Sequence, residues 1–183
     1  MRSVAASLTR RGALGGAAVL LASCGSDDAP PATGRRPGPG VGLLNSILVE
    51  EHAVVAAYGT LNELLRGEGL RYGRQIEEQE RGHVRRLEEL IRGLGGSSAR
   101  PRTPDEYARS FPLLRTAGDA LRFANDLEQR LVRVYLQALP RFVEAELRRV
   151  AAEIAGDEGA HLAVINLLRG GPAAPQPFVT GTL

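Results

Sequence analysis

The sequence predicts an all-α fold, a four-helix bundle of two antiparallel hairpins joined by a long crossover. Three observations carry this. Four long segments keep apolar side chains at the i, i+3, i+4, i+7 spacing of a helix buried on one face. The apolar residues are mainly Leu, Val, Ile and Ala, with 4% aromatics and no Trp, a composition suited to helices rather than a sheet sandwich. The breaks inside each pair of segments are short, whereas the middle break, 95–115, is long enough to run the length of a bundle.

Residues 1–23 read as an export signal. Arg2, Arg10 and Arg11 accompany the apolar run 13–22, which is too short to cross a bilayer as a helix. Thr9-Arg10-Arg11-Gly12-Ala13-Leu14 resembles a twin-arginine signal with Ala13 where Phe is usual, and a general secretory signal is the alternative. Leu21-Ala22-Ser23-Cys24 resembles a bacterial lipobox. Cys24 is thus the expected lipidation site, and the mature chain is expected outside the cytoplasm, lipid-anchored to the cell membrane. It is also the chain's one cysteine, which excludes an internal disulfide and a Cys-based metal site. Residues 24–40 are rich in Pro, Gly and Ser and read as a flexible linker, reaching on the order of 50 Å when extended.

The bundle is expected over 41–170. Its first helix spans 41–66 and stops near Gly67 and Gly69; the second spans 70–94 and stops at Gly95-Gly96. Within the crossover, Thr103-Pro104-Asp105-Glu106 has the pattern of a capping box with Pro at the first helical position, so a short helical turn is expected there. The third long helix spans 116–140, the fourth 141–169, and 171–183 is expected to be a loose tail.

The predicted pI near 9.1 reflects the signal. Without residues 1–23 the chain has 20 arginines against 21 acids, a net charge of −1. No basic stripe with interleaved aromatics remains, so nucleic acid is not an expected partner.

Function is indicated by polar residues that interrupt the apolar stripes. The first helix places Glu51 among Leu44, Leu48, Val55, Tyr58 and Leu65, flanked by Ile47, Val54 and Leu61. The second places Glu80 and His83 among Ile76, Leu87, Leu90 and Leu94. The third aligns Glu128 with Leu121, Ala124, Leu131, Tyr135 and Ala138, and the fourth aligns Glu158 and His161 with Leu147, Val150, Ile154, Ile165 and Leu168. Each helix therefore buries a carboxylate at its middle. An unpartnered buried charge costs several kcal/mol or more, so something must compensate four of them. The chain has no Lys, and no Arg lies on these stripes. Two divalent cations would neutralise four carboxylates, and the two histidines supply further ligands.

The spacing agrees. Glu80/His83 and Glu158/His161 are each three apart, so each pair projects from one helix face. Glu51, Tyr58, Glu80 and His83 recur as Glu128, Tyr135, Glu158 and His161 at nearly constant offset, an internal repeat that predicts a pseudo-two-fold bundle with the site on its axis. Among neighbours, Glu50 is read as surface or lying behind the ligands, Glu77 as an edge residue and only a minor candidate ligand. His52, Glu153 and Asp157 are read as solvated.

These residues resemble the ferritin-like di-iron carboxylate superfamily, whose members include rubrerythrins, bacterioferritins and manganese catalases: one Glu from each of two helices and Glu-x-x-His from each of the others. The resemblance covers 41–169 and implies a ferritin-like fold with two bound metal ions, iron first, Mn or Zn as alternatives. It implies Glu51 and Glu128 as terminal ligands, Glu80 and Glu158 as bridges, and one ion each for His83 and His161. By the same resemblance, Tyr58 and Tyr135 hydrogen-bond ligands near the metals and are the candidate catalytic residues. It implies chemistry with O2 or peroxide of ferroxidase, peroxidase or catalase type. The sole cysteine, used as an anchor, departs from rubrerythrin-type electron transfer, and a lipid tether ill suits a storage cage. Whether the chain is an enzyme stays open. The alternative is a non-catalytic metal-binding or structural helical-bundle lipoprotein, and a homodimer is compatible with either reading.

Overall fold

A computed structural model of the chain describes residues 37–181. The expected export signal, Cys24 and most of the expected linker over 24–40 lie outside the described residues.

The architecture is all-helical among the described residues. Helix α1 spans Val41–Leu64 and α2 spans Gly67–Gly93. A short α3, Pro104–Ala108, sits within the crossover, followed by α4, Ala117–Ala138, a 3₁₀ turn, Leu139–Arg141, and α5, Ala145–Leu168. By length and composition α1 could cross a membrane, yet it packs as the core helix of the bundle, with Leu44, Ile47, Leu48, Val54, Tyr58 and Leu61 buried.

Both short connections differ from expectation. Only Leu65 and Arg66 separate α1 from α2, so the second helix starts at Gly67 rather than 70. Gly67 has φ 55, a backbone state open to glycine at little cost, and it makes the reversal instead of ending the first helix. At the other hairpin, Pro140 lies in the 3₁₀ turn and Phe142 is extended and buried, which delays α5 to Ala145. The capping box at Thr103 and Glu106 is present as the sequence indicates. A second one, Thr116 with Asp119, starts α4.

The hydrogen bonds fix the helix directions. Gly38 N donates to Leu94 O, joining the start of α1 to the end of α2. Asn125 in α4 donates to Asn166 in α5 at 3.2 Å, joining the start of one helix to the end of the other. Tyr58 meets Glu128 and Tyr135 meets Glu51, so α1 and α4 are antiparallel too. The crossover must consequently travel the length of the bundle, as in ferritin-like chains.

The core is divided in two. Leu44, Ile47, Leu48, Leu87, Ile91, Tyr135 and Val150 belong to one apolar cluster. Val54, Tyr58, Leu61, Ile76, Ala124, Leu131 and Ile165 belong to the other. Between them lies a layer of polar side chains. The tail 171–181 has no helix, but Gly181 is buried, and its carbonyl accepts from Arg133 Nε at 2.7 Å.

Candidate metal centre

The six residues read from the stripes meet in this layer. Glu51, Glu80, Glu128 and Glu158 are all 0% exposed, with His83 at 6% and His161 at 3%. Their donor atoms form two groups, Glu51, Glu80, His83 and Glu158 on one side and Glu80, Glu128, Glu158 and His161 on the other, each with all donors within 4.8 Å of one another. Glu80 and Glu158 belong to both. Helical spacing produces this: each Glu-x-x-His pair occupies adjacent turns of one face, and the near-equal offset sets the two hairpins face to face.

The shared carboxylates divide their oxygens between the histidines. His83 Nδ1 lies 3.3 Å from Glu80 Oε2, 3.2 Å from Glu158 Oε1 and 3.9 Å from Glu51 Oε2. His161 Nδ1 lies 3.0 Å from Glu80 Oε1, 3.2 Å from Glu158 Oε2 and 3.3 Å from Glu128 Oε2. One oxygen of each shared carboxylate thus faces each half.

This arrangement fits metal ions better than protons. Each Nδ1 has at most one N–H, yet three carboxylate oxygens surround it. Glu51 Oε2, Glu80 Oε1 and Glu158 Oε1 are buried and accept no hydrogen bond, although an unmet buried acceptor is costly. A cation at the middle of each group satisfies all of its donors together. Donors around an octahedral ion at about 2.1 Å stand about 3 Å apart, close to most of these spacings. Carboxylate and imidazole without thiolate suit Fe, Mn or Zn.

Two tyrosines complete the layer, each reaching across to the other hairpin. Tyr58 Oη donates to Glu128 Oε1, and Tyr135 Oη donates to Glu51 Oε1. Burial, then the adjoining Glu128 or Glu51, pushes both phenols well above their usual range, so they remain protonated donors. Among the protein groups alone, burial followed by the charges of Glu80 and Glu158 drives Glu51 up, and burial followed by Glu80 drives Glu128 up. Burial opposes the imidazolium forms, but the close carboxylates of Glu158 and Glu80 raise His83 to about 10, and those of Glu128, Glu158 and Glu80 raise His161 to about 12. Burial likewise opposes ionisation of Glu80, and the adjoining imidazoles of His161 and His83 outweigh it, lowering Glu80 to about 2.

The neighbours refine the sequence reading. Glu77 stays outside the centre: its carboxylate accepts from Asn62 at 2.8 Å and from Arg81 at 2.5 Å. Glu50 lies at the surface, 3.8 Å from Arg130. His52 is buried rather than solvated, with Nε2 3.3 Å from Ala99 O, because the crossover folds over it. Asp157 is 57% exposed, as a solvated residue would be, but its Oδ2 is 3.4 Å from His83 Nε2, behind the ring nitrogen that faces the centre. The corresponding nitrogen of His161 has no partner among the described residues. Sequence periodicity could not identify this contact, which depends on the rotation of α5 against α2.

Comparison with known proteins agrees with the architecture. The crystal structure of a conserved hypothetical protein from Mycobacterium tuberculosis superposes with a TM-score of 0.63 at 16% identity, covering 69% of this chain and 94% of that one. Among curated proteins nothing matches. The ferritin-like domain family matches residues 41–171. With the bundle's four long helices and its buried carboxylate–histidine layer inside that span, the chain belongs to the ferritin-like domain family.

Proposed function

We propose that this chain is an exported lipoprotein whose bundle holds a dinuclear metal centre, iron first, that reacts with O2 or peroxide. The observation supporting this is that Glu80 and Glu158 are shared between two otherwise separate donor groups. In this reading Glu51 and His83 would hold one ion and Glu128 and His161 the other, with Glu80 and Glu158 available to both. Bound there, a pair of redox-active ions supplies two-electron chemistry toward O2 or peroxide.

The chain's own groups set the conditions. Glu80 and Glu158 offer one oxygen to each half, so either can turn to follow a change of charge. Tyr58 and Tyr135 hold Glu128 and Glu51 in place and retain their protons. Asp157 orients His83 from behind, as a carboxylate behind a ligating imidazole does. The apolar clusters above and below exclude bulk water and strengthen the electrostatics within the layer. Lipidation at Cys24 after twin-arginine export rests on the sequence alone. Loss of labelled-acyl incorporation in Cys24→Ala is its test.

Elemental analysis and the visible spectrum of protein from its native host test the centre. Two irons per chain, with O2 uptake on adding Fe(II) or with peroxide loss, is the expected result. A second reading, a structural or scavenging metal site, is favoured by the complete burial of all four glutamates. It predicts a redox-silent ion whose removal lowers the melting temperature while no turnover is detected at any loading.

A further inference from the structure

A cavity of about 530 Å³ lies outside the bundle core, between the outer faces of α1 and α2 and the crossover. Its size is that of a small-molecule site. From α1 it takes the face that carries His52, Val55 and Gly59, which adjoins the Glu51 stripe and includes Val55 at its edge. From α2 it takes Arg81, Val84 and Arg85, and the crossover closes it with Arg102, Tyr107 and Phe111.

Specific contacts hold this wall in place. Ala99 N donates to Asn45 Oδ1 at 2.6 Å, Asn45 Nδ2 donates to Ser97 O at 3.0 Å, and His52 meets Ala99 O. Arg102 N donates to Tyr107 Oη at 3.1 Å, and Tyr107 stacks on Phe111.

The lining has a definite chemistry. Val55, Val84 and Phe111 offer an apolar interior, three arginines stand around it, and no carboxylate lines it. Arg81 and Arg85 are paired with Glu77 and Glu78. Arg102 makes no ion pair within 4 Å among the described residues; its charge acts on Glu106, which does not line the cavity, and its guanidinium can pair with an incoming anion. We infer that this cavity binds a small organic anion with an apolar body, its acid group at Arg102 and its body against Val55, Val84 and Phe111. The inference does not depend on what the metal layer does, although His52, Arg81 and Val84 are the chain neighbours of Glu51, Glu80 and His83.

Fluorescence titration of the full chain with anilinonaphthalene sulfonate, followed by displacement with decanoate or with decanol, tests it. The expected result is saturable binding displaced by decanoate and at least about tenfold less well by decanol. Arg102→Glu should weaken the sulfonate and decanoate by roughly tenfold or more. Gly59→Phe should abolish binding: a Cβ at Gly59 meets nothing within 4 Å, so the ring has room to enter the cavity without disturbing the helix. Circular dichroism establishes that each variant is folded, and Arg102→Glu decides alone if Gly59→Phe is not. Equal displacement by decanol, or undiminished affinity in the folded variants, overturns the inference.

Discussion

Tyr58 and Tyr135 occupy equivalent places in the two hairpins, and each donates to the other hairpin's glutamate. Removing either hydroxyl leaves a buried carboxylate oxygen without its donor. Tyr58→Phe and Tyr135→Phe should therefore each destabilise the chelated protein by about 1–3 kcal/mol, measured by denaturant titration, and by similar amounts because the environments match. Asp157 breaks that symmetry, since among the described residues only His83 has a carboxylate behind it. Asp157→Asn should lower the affinity for one of two metal equivalents by roughly 10–100-fold and leave the other unchanged, as a two-step metal titration by calorimetry would show. A uniform loss at both steps would contradict this. The six donors were legible in the sequence because each lies on a stripe whose other members are apolar, and burial on such a face needs only helical periodicity. The burial of His52 and the contact of the solvated Asp157 with His83 escape the sequence because the partners, Ala99 and His83, belong to other elements, and no local pattern encodes how those elements meet.

The helices themselves were largely legible, and their ends less so. Thr103-Pro104-Asp105-Glu106 announces α3 because a capping box is a local device. The same logic applies at Thr116 and Asp119, where each side chain bonds the other's backbone N–H. Thr116→Ala should cost about 1 kcal/mol in denaturant unfolding, with little change in metal content, because the cap lies well away from Glu128. Gly67 was misread as a stop because a glycine that ends one helix and one that turns into the next look alike in sequence. Its φ of 55 separates the two cases. The position of α5 was displaced by Phe142, whose burial in the core needs an extended backbone that periodicity does not foretell.

The polar layer links stability to pH across the bundle. His83 and His161 are raised to about 10 and about 12, and Glu51 and Glu128 are raised from the carboxylate range. Above the unfolded values, ~4.3 for Glu and ~6.5 for His, the folded chelated protein holds protons that the unfolded chain has released. Its stability therefore falls as pH rises. The histidine contribution is fully present below about pH 6.5 and is lost as pH climbs through about 10 and about 12. Glu80, lowered to about 2, acts oppositely and only in acid: its contribution is present above about 4.3 and lost as pH falls toward 2. Metal ions displace the layer's protons, so metal binding strengthens with pH. Thermal melts from about pH 6 to about pH 9 should show the chelated and metal-loaded curves diverging as pH rises. A constant separation would contradict the assignment of these six residues as ligands.

The crossover has a further consequence. Each hairpin contributes two carboxylates, one imidazole and one tyrosine, and neither holds both sides of the layer. The covalent link between Gly93 and Ala117 is what makes assembly of the centre unimolecular. Cutting it would leave the donors unchanged and turn their meeting into an association governed by concentration, with the effective molarity of the tether withdrawn. Seen this way, the long connection is a tether that keeps two half-sites permanently within reach of each other, even in a dilute compartment.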